Sequence, residues 1–188
     1  MRDLIETALK RQKADYIEIR IEETESTNIS FRGRELDGIN HSTGKGGNVR
    51  VCTNGGWGFA SFNDIESINS KVEQAINQAK MVGNGKTQLA DILPVIAIVP
   101  PYIVSDPTNV PLTEKHRIME GYLDLLWGGP KIQTSTLRYS DGHRRLFYGN
   151  NQGTYTEQSR IDVNFNASAV ARSGGDLQQS SISMGSLG

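Results

Sequence analysis

Scarcity narrows this sequence before any motif is read. One cysteine, Cys52, occurs in 188 residues; it cannot form an internal disulfide, and its place between Val51 and Thr53 in a strand-like run suits a buried structural thiol. Of three histidines, His41, His116 and His143, none is followed by Glu. None is paired with another four or five residues on, so no zinc-ligand helix is present. Charge of one sign is not in excess, with 20 basic against 21 acidic side chains, and nothing draws the chain as a whole toward nucleic acid or an anionic membrane. No apolar run is long enough to span a bilayer, and Met1 to Lys13 is charged throughout without a cleavable apolar segment, which makes the cytoplasm the expected compartment.

What is present suits a mixed domain. A hydrophobic content of 36% over this length supplies a core for one medium domain or two small ones. Leu4, Ile5, Ala8 and Leu9 recur at helical spacing within Asp3 to Lys13. The period then changes: Tyr16, Ile17, Ile19 and Ile21 alternate with Glu18, Arg20 and Glu22, as on a strand. Further strands are expected over Asn28 to Phe31 and Leu36 to Ile39, around a turn at Arg32-Gly33-Arg34, and over Asn48 to Thr53 after a turn at Gly44, Gly46 and Gly47. Asn54-Gly55-Gly56 is a hairpin signal leading into Trp57 to Phe62. Asn63-Asp64 then caps a helix in which Ile65, Ile68, Val72, Ala75, Ile76 and Ala79 repeat.

Five of six prolines lie in Gly83 to Pro111, which reads as an extended arm. A helix follows over Leu112 to Leu126, with Thr113 as its cap. Strands are then expected over Gln133 to Ser140, Arg145 to Gly149, Thr154 to Gln158 and Ile161 to Ala171, with turns at Asp141-Gly142 and Asn150 to Gly153. The halves look alike, Asn28 to Phe31 before Arg32-Gly33 matching Arg145 to Tyr148 before Gly149-Asn150, as an internal duplication would leave them. The expected fold is α+β: antiparallel sheets with a few flanking helices, arranged as two related β-meander units over about 1–82 and 112–183 with the proline-rich arm, 83–111, between. Gly185-Ser186-Leu187-Gly188 reads as a linker leading into something further.

Candidate chemistry is sparse. His116 is expected on the exposed side of its helix, and His41 and His143 in turns. Gly44-Lys45-Gly46-Gly47 lacks the Gly-Lys-Ser/Thr ending of a phosphate loop and reads as a turn. Glu22, Glu23 and Glu25 read as a solvated strand edge that discourages pairing. Trp57, Phe59 and Phe62 alternate with small residues and have no basic residues among them, which suits a core-facing strand rather than a base-stacking platform.

Ala14-Asp15-Tyr16-Ile17-Glu18-Ile19-Arg20, Gly46 to Val51 and especially Gly55-Gly56-Trp57-Gly58-Phe59-Ala60-Ser61 resemble the amino-terminal domain of the TldD/PmbA proteins, peptidases once described as modulators of DNA gyrase. The resemblance continues through Pro100-Pro101-Tyr102, the stretch from Asp106-Pro107 to Leu112 with Glu114-Lys115 after it, and Asn150 to Gln158, where Gly153 to Gln158 is close to the family pattern. It covers nearly the whole chain in order, and the arm resembles the TldD-like branch.

The resemblance implies that catalysis belongs to a second, carboxy-terminal domain with a His-Glu-x-x-x-His zinc motif and a cysteine ligand, where metal and glutamate activate water. No such motif occurs in these residues, so no catalytic or metal residue is assigned, and the chain is expected to be inactive alone. It further implies peptide guidance and formation of a homodimer, or of a heterodimer with a TldD/PmbA paralogue, enclosing a cavity where an extended peptide lies along a sheet edge. Tyr155, Glu157 and Arg160, which alternate poorly with a core face, are the candidate peptide contacts; a core placement fits that strand equally well. The alternative is a self-sufficient binding protein that pairs with a full-length relative and regulates it. Charge balance gives no support to nucleic-acid binding.

Overall fold

The computed structural model describes residues 1–187. Among them the first helix, α1 (Arg2–Arg11), buries Ile5, Ala8 and Leu9. It leads into a hairpin of two long strands, β1 (Tyr16–Arg32) and β2 (Glu35–Thr53). Gly33, at φ +63°, makes their turn. The Asn54-Gly55 turn, with φ 51° and 76°, joins β2 to β3 (Gly56–Phe62) as its composition implied. A 3-10 turn capped by the Asp64 carboxylate opens α2 (Ile68–Val82).

Downstream come β4 (Ile96–Val99), α3 (Leu112–Trp127), β5 (Ile132–Asn150), β6 (Tyr155–Ser173) and β7 (Asp176–Ser186). Strand order is β3-β2-β1-β5-β6-β4, with β7 also on β6. The pairings β2–β3 and β6–β7 are antiparallel, whereas β4 runs parallel to β6. The fold is α+β.

Several expected turns are absent because the strands run through them. Gly44, Gly46 and Gly47 lie inside β2. A Cβ at Gly47 would meet the Arg20 carbonyl oxygen and the Phe62 ring at 2.5 Å, so glycine answers close packing there rather than a change of direction. Asp141-Gly142 lies inside β5, and β6 runs unbroken past Gln158. His41 and His143 therefore sit in strands. The arm is not wholly irregular either: Val95 to Val99, an apolar run between Pro94 and Pro100, supplies β4 as an end strand, where flanking prolines cost no ladder bond. Pro111, not Thr113, stands at the N-cap of α3.

Four strands are long enough to share their residues between two compact units. Unit 1 comprises Met1–Thr24, Gly44–Pro100 and Arg144–Ser159; unit 2 comprises Glu25–Thr43, Pro101–His143 and the residues from Arg160 onward. Each draws chain from both sides of the proline-rich segment, a division that cuts across 1–82, 83–111 and 112–183.

The core of unit 1 lies between its helices and one sheet face. Ile17, Ile19 and Ile21 of β1, Val49 and Val51 of β2, and Phe147 of β5 meet α1 and α2 residues such as Ile5, Val72 and Ala75. On β3 Phe62 faces the core as expected, but Trp57 and Phe59 do not. Gly56, Gly58, Ala60 and Phe62 face inward, while Trp57 and Phe59 point out. The cause is α2, which comes so close that a Cβ at Gly58 would collide with the Ala75 carbonyl oxygen and one at Gly56 with that of Ala79. Only glycine fits this contact, so the Trp57 and Phe59 rings take the other face. There Trp57 packs edge-on to Tyr16 at 6.1 Å, with the Arg50 guanidinium 5.0 Å from its ring centre.

The core of unit 2 gathers Ile29, Phe31, Leu137 and Ala167 beneath Met119 and Leu123 of α3. A buried ion pair sits beside it, Lys115 Nζ to Asp141 Oδ2 at 2.6 Å, with side chains 7% and 5% exposed. His116 is half-buried on α3 and not on its exposed side, its ring 5.5 Å from that of Phe31.

Candidate functional site

The acidic run expected at a strand edge instead lies within β1, an interior strand between β2 and β5. Its charges in unit 1 are matched. Glu22 pairs with Arg144 at 2.7 Å, and Glu23 with Lys45 at 2.8 Å and Arg145 at 3.1 Å. The Glu18 carboxylate accepts hydrogen bonds from the Tyr16 hydroxyl at 2.7 Å and the Tyr148 hydroxyl at 3.2 Å, and pairs with Arg50 at 3.0 Å. Burial, and then the hydrogen bonds with Tyr148 and Glu18, raise the Tyr16 phenol well above the ordinary tyrosine value.

Both end strands of the sheet, β3 and β4, lie in unit 1; the β3 edge is engaged by α2, the Phe59 amide donating to Gln78 Oε1 at 3.0 Å, and the edge left open beside a groove is that of β4. Its register with β6 runs from Ile96 opposite Tyr155 to Val99 opposite Gln158. The Tyr155 amide donates to the Val95 carbonyl at 2.8 Å, and the Val95 amide donates to Thr154 Oγ1 at 3.2 Å. Val95 and Ala97 therefore turn their backbone groups toward β6. Alternation aims those of Ile96 and Ile98 away from it, and no strand pairs that side. The side chains of Ile96 and Ile98 are 63% and 69% exposed.

A groove of about 640 Å³ lies beside this edge, bounded by Ile96, the α1 side chains Arg2, Glu6 and Lys10, and the β5–β6 turn. Side-chain amides hold the turn. Asn150 Oδ1 accepts from the backbone amides of Gln152 and Thr154, while Asn151 Oδ1 accepts from the Ile17 amide at 3.0 Å. A Cβ at Gly149 would meet Ile5 at 2.7 Å, so glycine there lets α1 form the groove wall.

Tyr155 lines the groove but is only 4% exposed, its ring 5.3 Å from the Arg2 guanidinium. Burial, then the Glu157 charge and hydrogen bond, raise its phenol. Glu157 accepts from the Tyr155 hydroxyl at 3.4 Å and pairs with Arg145 at 3.7 Å. Arg160 belongs to unit 2, where it is exposed and pairs with Asp162 at 2.6 Å. The structure thus joins Tyr155 to Glu157 and leaves Arg160 apart. It also moves the open edge from β6, flanked by β5 and β4 at these residues, to β4. Ile96 and Ile98 were the residues missed, although an unbroken apolar run between two prolines is a recognisable strand signal.

The residues present do not fit a zinc centre. No group of three or more His, Cys, Asp or Glu converges among the described residues, and Cys52 is buried in unit 1. His41 contacts Thr27 Oγ1 at 3.3 Å and Glu25 at 3.6 Å, which is one carboxylate and no second imidazole. No helix among the described residues is long and apolar enough to cross a membrane.

Comparison with known proteins gives a consistent picture. Residues 17–79 match the family model of PmbA/TldA metallopeptidase domain 1, and residues 105–188 match that of the PmbA/TldA metallopeptidase central domain. A metalloprotease of Synechocystis sp. is 38% identical over 170 residues, covering 89% of this chain and 37% of the relative. A metalloprotease of Methanocaldococcus jannaschii is 27% identical over 180 residues, covering 93% and 40%. The chain therefore spans well under half the length of these relatives. Among solved structures, a candidate modulator of a DNA gyrase from Thermotoga maritima superposes with a TM-score of 0.78 at 15% identity, over 99% of this chain and 42% of that one. TldE from Thermococcus kodakarensis gives 0.69 at 18% identity, over 100% and 43%. At such identities the structures speak for the fold.

Proposed function

The chain belongs to the TldD/PmbA metallopeptidase family, and from that membership we propose that these residues guide extended peptides toward a catalytic domain and help form the dimer that encloses it. The observation that carries the reading is the unpaired outer edge of β4, at Ile96 and Ile98, beside the groove formed by α1 and the Asn150–Tyr155 turn. A peptide added to such an edge bonds through its main chain. It is accepted for being extended and unfolded, with little regard to side-chain sequence. Apolar neighbours such as Ile96 and Ile98 add contact area, and the Arg2, Glu6 and Lys10 rim keeps the groove wet and open to polar side chains.

Hydrolysis, in this reading, is the work of a zinc-bearing catalytic domain, with a second copy or a family paralogue completing the dimer in the cytoplasm. The described residues bind and orient; they supply no group that activates water.

The test is a single backbone change. Ile98→Pro removes an outward amide without breaking a bond to β6. Affinity for an unstructured ten-residue peptide, followed by fluorescence anisotropy, is expected to fall at least tenfold. In the unaltered protein the peptide should slow hydrogen exchange at Ile96 and Ile98. Equal exchange with and without peptide, or unchanged affinity in the proline variant, would overturn the reading.

A further inference from the structure

Unit 2 carries a second concavity, of about 400 Å³, formed wholly by strand residues. It crosses β1, β5, β6 and β7 at the residue groups 28–30, 138–140 and 164–166 and at Ser183. The sheet face follows from alternation. Ile29, Leu137 and Ala167 point to α3 and are buried beneath it, and Tyr139 and Phe165 pack against that cluster. The residues between them, Asn28, Ser30, Arg138, Ser140, Asn164 and Asn166, project from the opposite face. Ser183 lies directly across from Asn166 in the β6–β7 register and shares that face.

The chemistry of this floor is selective. Side-chain amides and hydroxyls dominate it, each able to donate and accept, and Arg138 is its one cation. The nearby acids are already paired: Asp37 lies 3.6 Å from Arg32 and accepts from Ser30 at 3.5 Å, and Asp162 pairs with Arg160. Asn166 donates to the Ile182 carbonyl at 3.3 Å, which fixes its carboxamide against β7. Arginines of this chain mostly have partners. Arg2, Arg20, Arg32, Arg50, Arg117, Arg144, Arg145 and Arg160 form ion pairs, Arg34 lies over Trp127 and Arg172 donates to a carbonyl. Among the described residues only Arg11, at the end of α1, shares with Arg138 the lack of any such interaction.

An unpaired guanidinium in a concavity of neutral donors and acceptors is arranged for a planar anion whose neighbouring atoms make amide-like hydrogen bonds. We propose that this face of unit 2 binds the carboxylate of a peptide, Arg138 holding the two oxygens and the Asn and Ser side chains of β1, β6 and β7 bonding the adjoining amide groups. The site is distinct from the β4 groove and does not rest on it.

Isothermal titration at pH 7 tests the assignment with N-acetyl-trialanine as the free acid and as its carboxamide. A third peptide, amidated at its end, carries a central glutamate. The free acid is expected to bind at least tenfold more tightly than its amide, and Arg138→Gln to bring it down to the amide's level while Arg11→Gln, at the other arginine without a partner, leaves it unchanged. Binding should also shift the side-chain amide resonances of Asn164 and Asn166. If the glutamate peptide matches the free acid, the carboxylate is taken from a side chain as well as a chain end. Equal binding of acid and amide, no binding of either, or an Arg138→Gln variant that keeps its affinity would overturn the proposal. Arg138 is exposed, and an unchanged circular dichroism spectrum verifies that the variant is folded.

Discussion

Gly58 shows how much one hydrogen atom decides. With the Ala75 carbonyl pressed against it, Gly58→Ala must push α2 off β3, and a loss of about 1–3 kcal/mol is expected in urea unfolding. Gly85, with open space around it and no left-handed backbone, is the control: Gly85→Ala should change stability by less than about 0.5 kcal/mol. Equal effects would deny the close contact. The Lys115–Asp141 pair makes a different demand. Lys115→Met leaves a carboxylate buried without its partner, which costs about 3–5 kcal/mol. Adding Asp141→Leu should restore most of that loss, as seen in denaturation midpoints. A double variant no better than the single would mean that Asp141 is held by something other than Lys115.

The phenols give a pH dependence of definite sign. Tyr16, Tyr139 and Tyr155 are all raised by burial first, with Tyr139 also hydrogen-bonded to Asp141. An unfolded tyrosine ionises near pH 10, so above that value the unfolded chain releases protons that the folded chain retains. The stability held by these hydroxyls is complete below about pH 10 and is lost as pH rises beyond it. Unfolding followed at pH 8, 10 and 11 should show the decline, and Tyr16→Phe should flatten it. A slope unaffected by the substitution would place the effect elsewhere.

Helices were the elements most legible in the sequence, because each buries one face at a spacing that composition displays. Ile5, Ala8 and Leu9, or Val72, Ala75, Ile76 and Ala79, are buried where the pattern put them. Strand lengths were less legible. Glycines at 44, 46, 47 and 142 resemble turn residues, yet among the described glycines only Gly33, Gly55, Gly153 and Gly174 take a positive φ. Those at 44, 46, 47 and 142 run extended inside β2 and β5, Gly47 because a neighbouring strand passes too close for a side chain, and nothing local in the sequence reports that neighbour. Trp57 and Phe59 misled for the same reason: alternation along β3 was plain, but which half of it met α2 was set by the helix. Of the candidate site, Tyr155 was found and Ile96 and Ile98 were not, since proline density hid a four-residue strand whose prolines lie just outside it.

At the scale of the whole chain, family membership was legible because weak motifs occur in order over most of the length, whereas the two compact units were not, each being assembled from separated segments. Phe147 and Tyr155 belong to the same buried cluster as Ile5, Ile17 and Val72. A fragment of residues 1–100 thus lacks part of its own core. It is expected to show helical and strand signals by circular dichroism without a cooperative thermal transition, and residues 1–159 should restore sharper unfolding of unit 1. A cooperative transition in the shorter fragment would show that β5 and β6 are dispensable to that core.

The interleaving also has a consequence for biosynthesis. When Pro100 leaves the ribosome, most of unit 1 has been made, but the segment Arg144–Ser159 that completes it has not. At about 5–20 residues per second the interval is roughly 3–12 s, during which the β1 edge that pairs with β5 and the α1 side chains that meet Gly149 and Tyr155 stay uncovered. Local contacts alone cannot shorten the wait, since the missing partners are distant in sequence. A nascent chain of this design is expected to gain from holding chaperones, and slowing translation between Pro100 and Ser159 is expected to lower its yield.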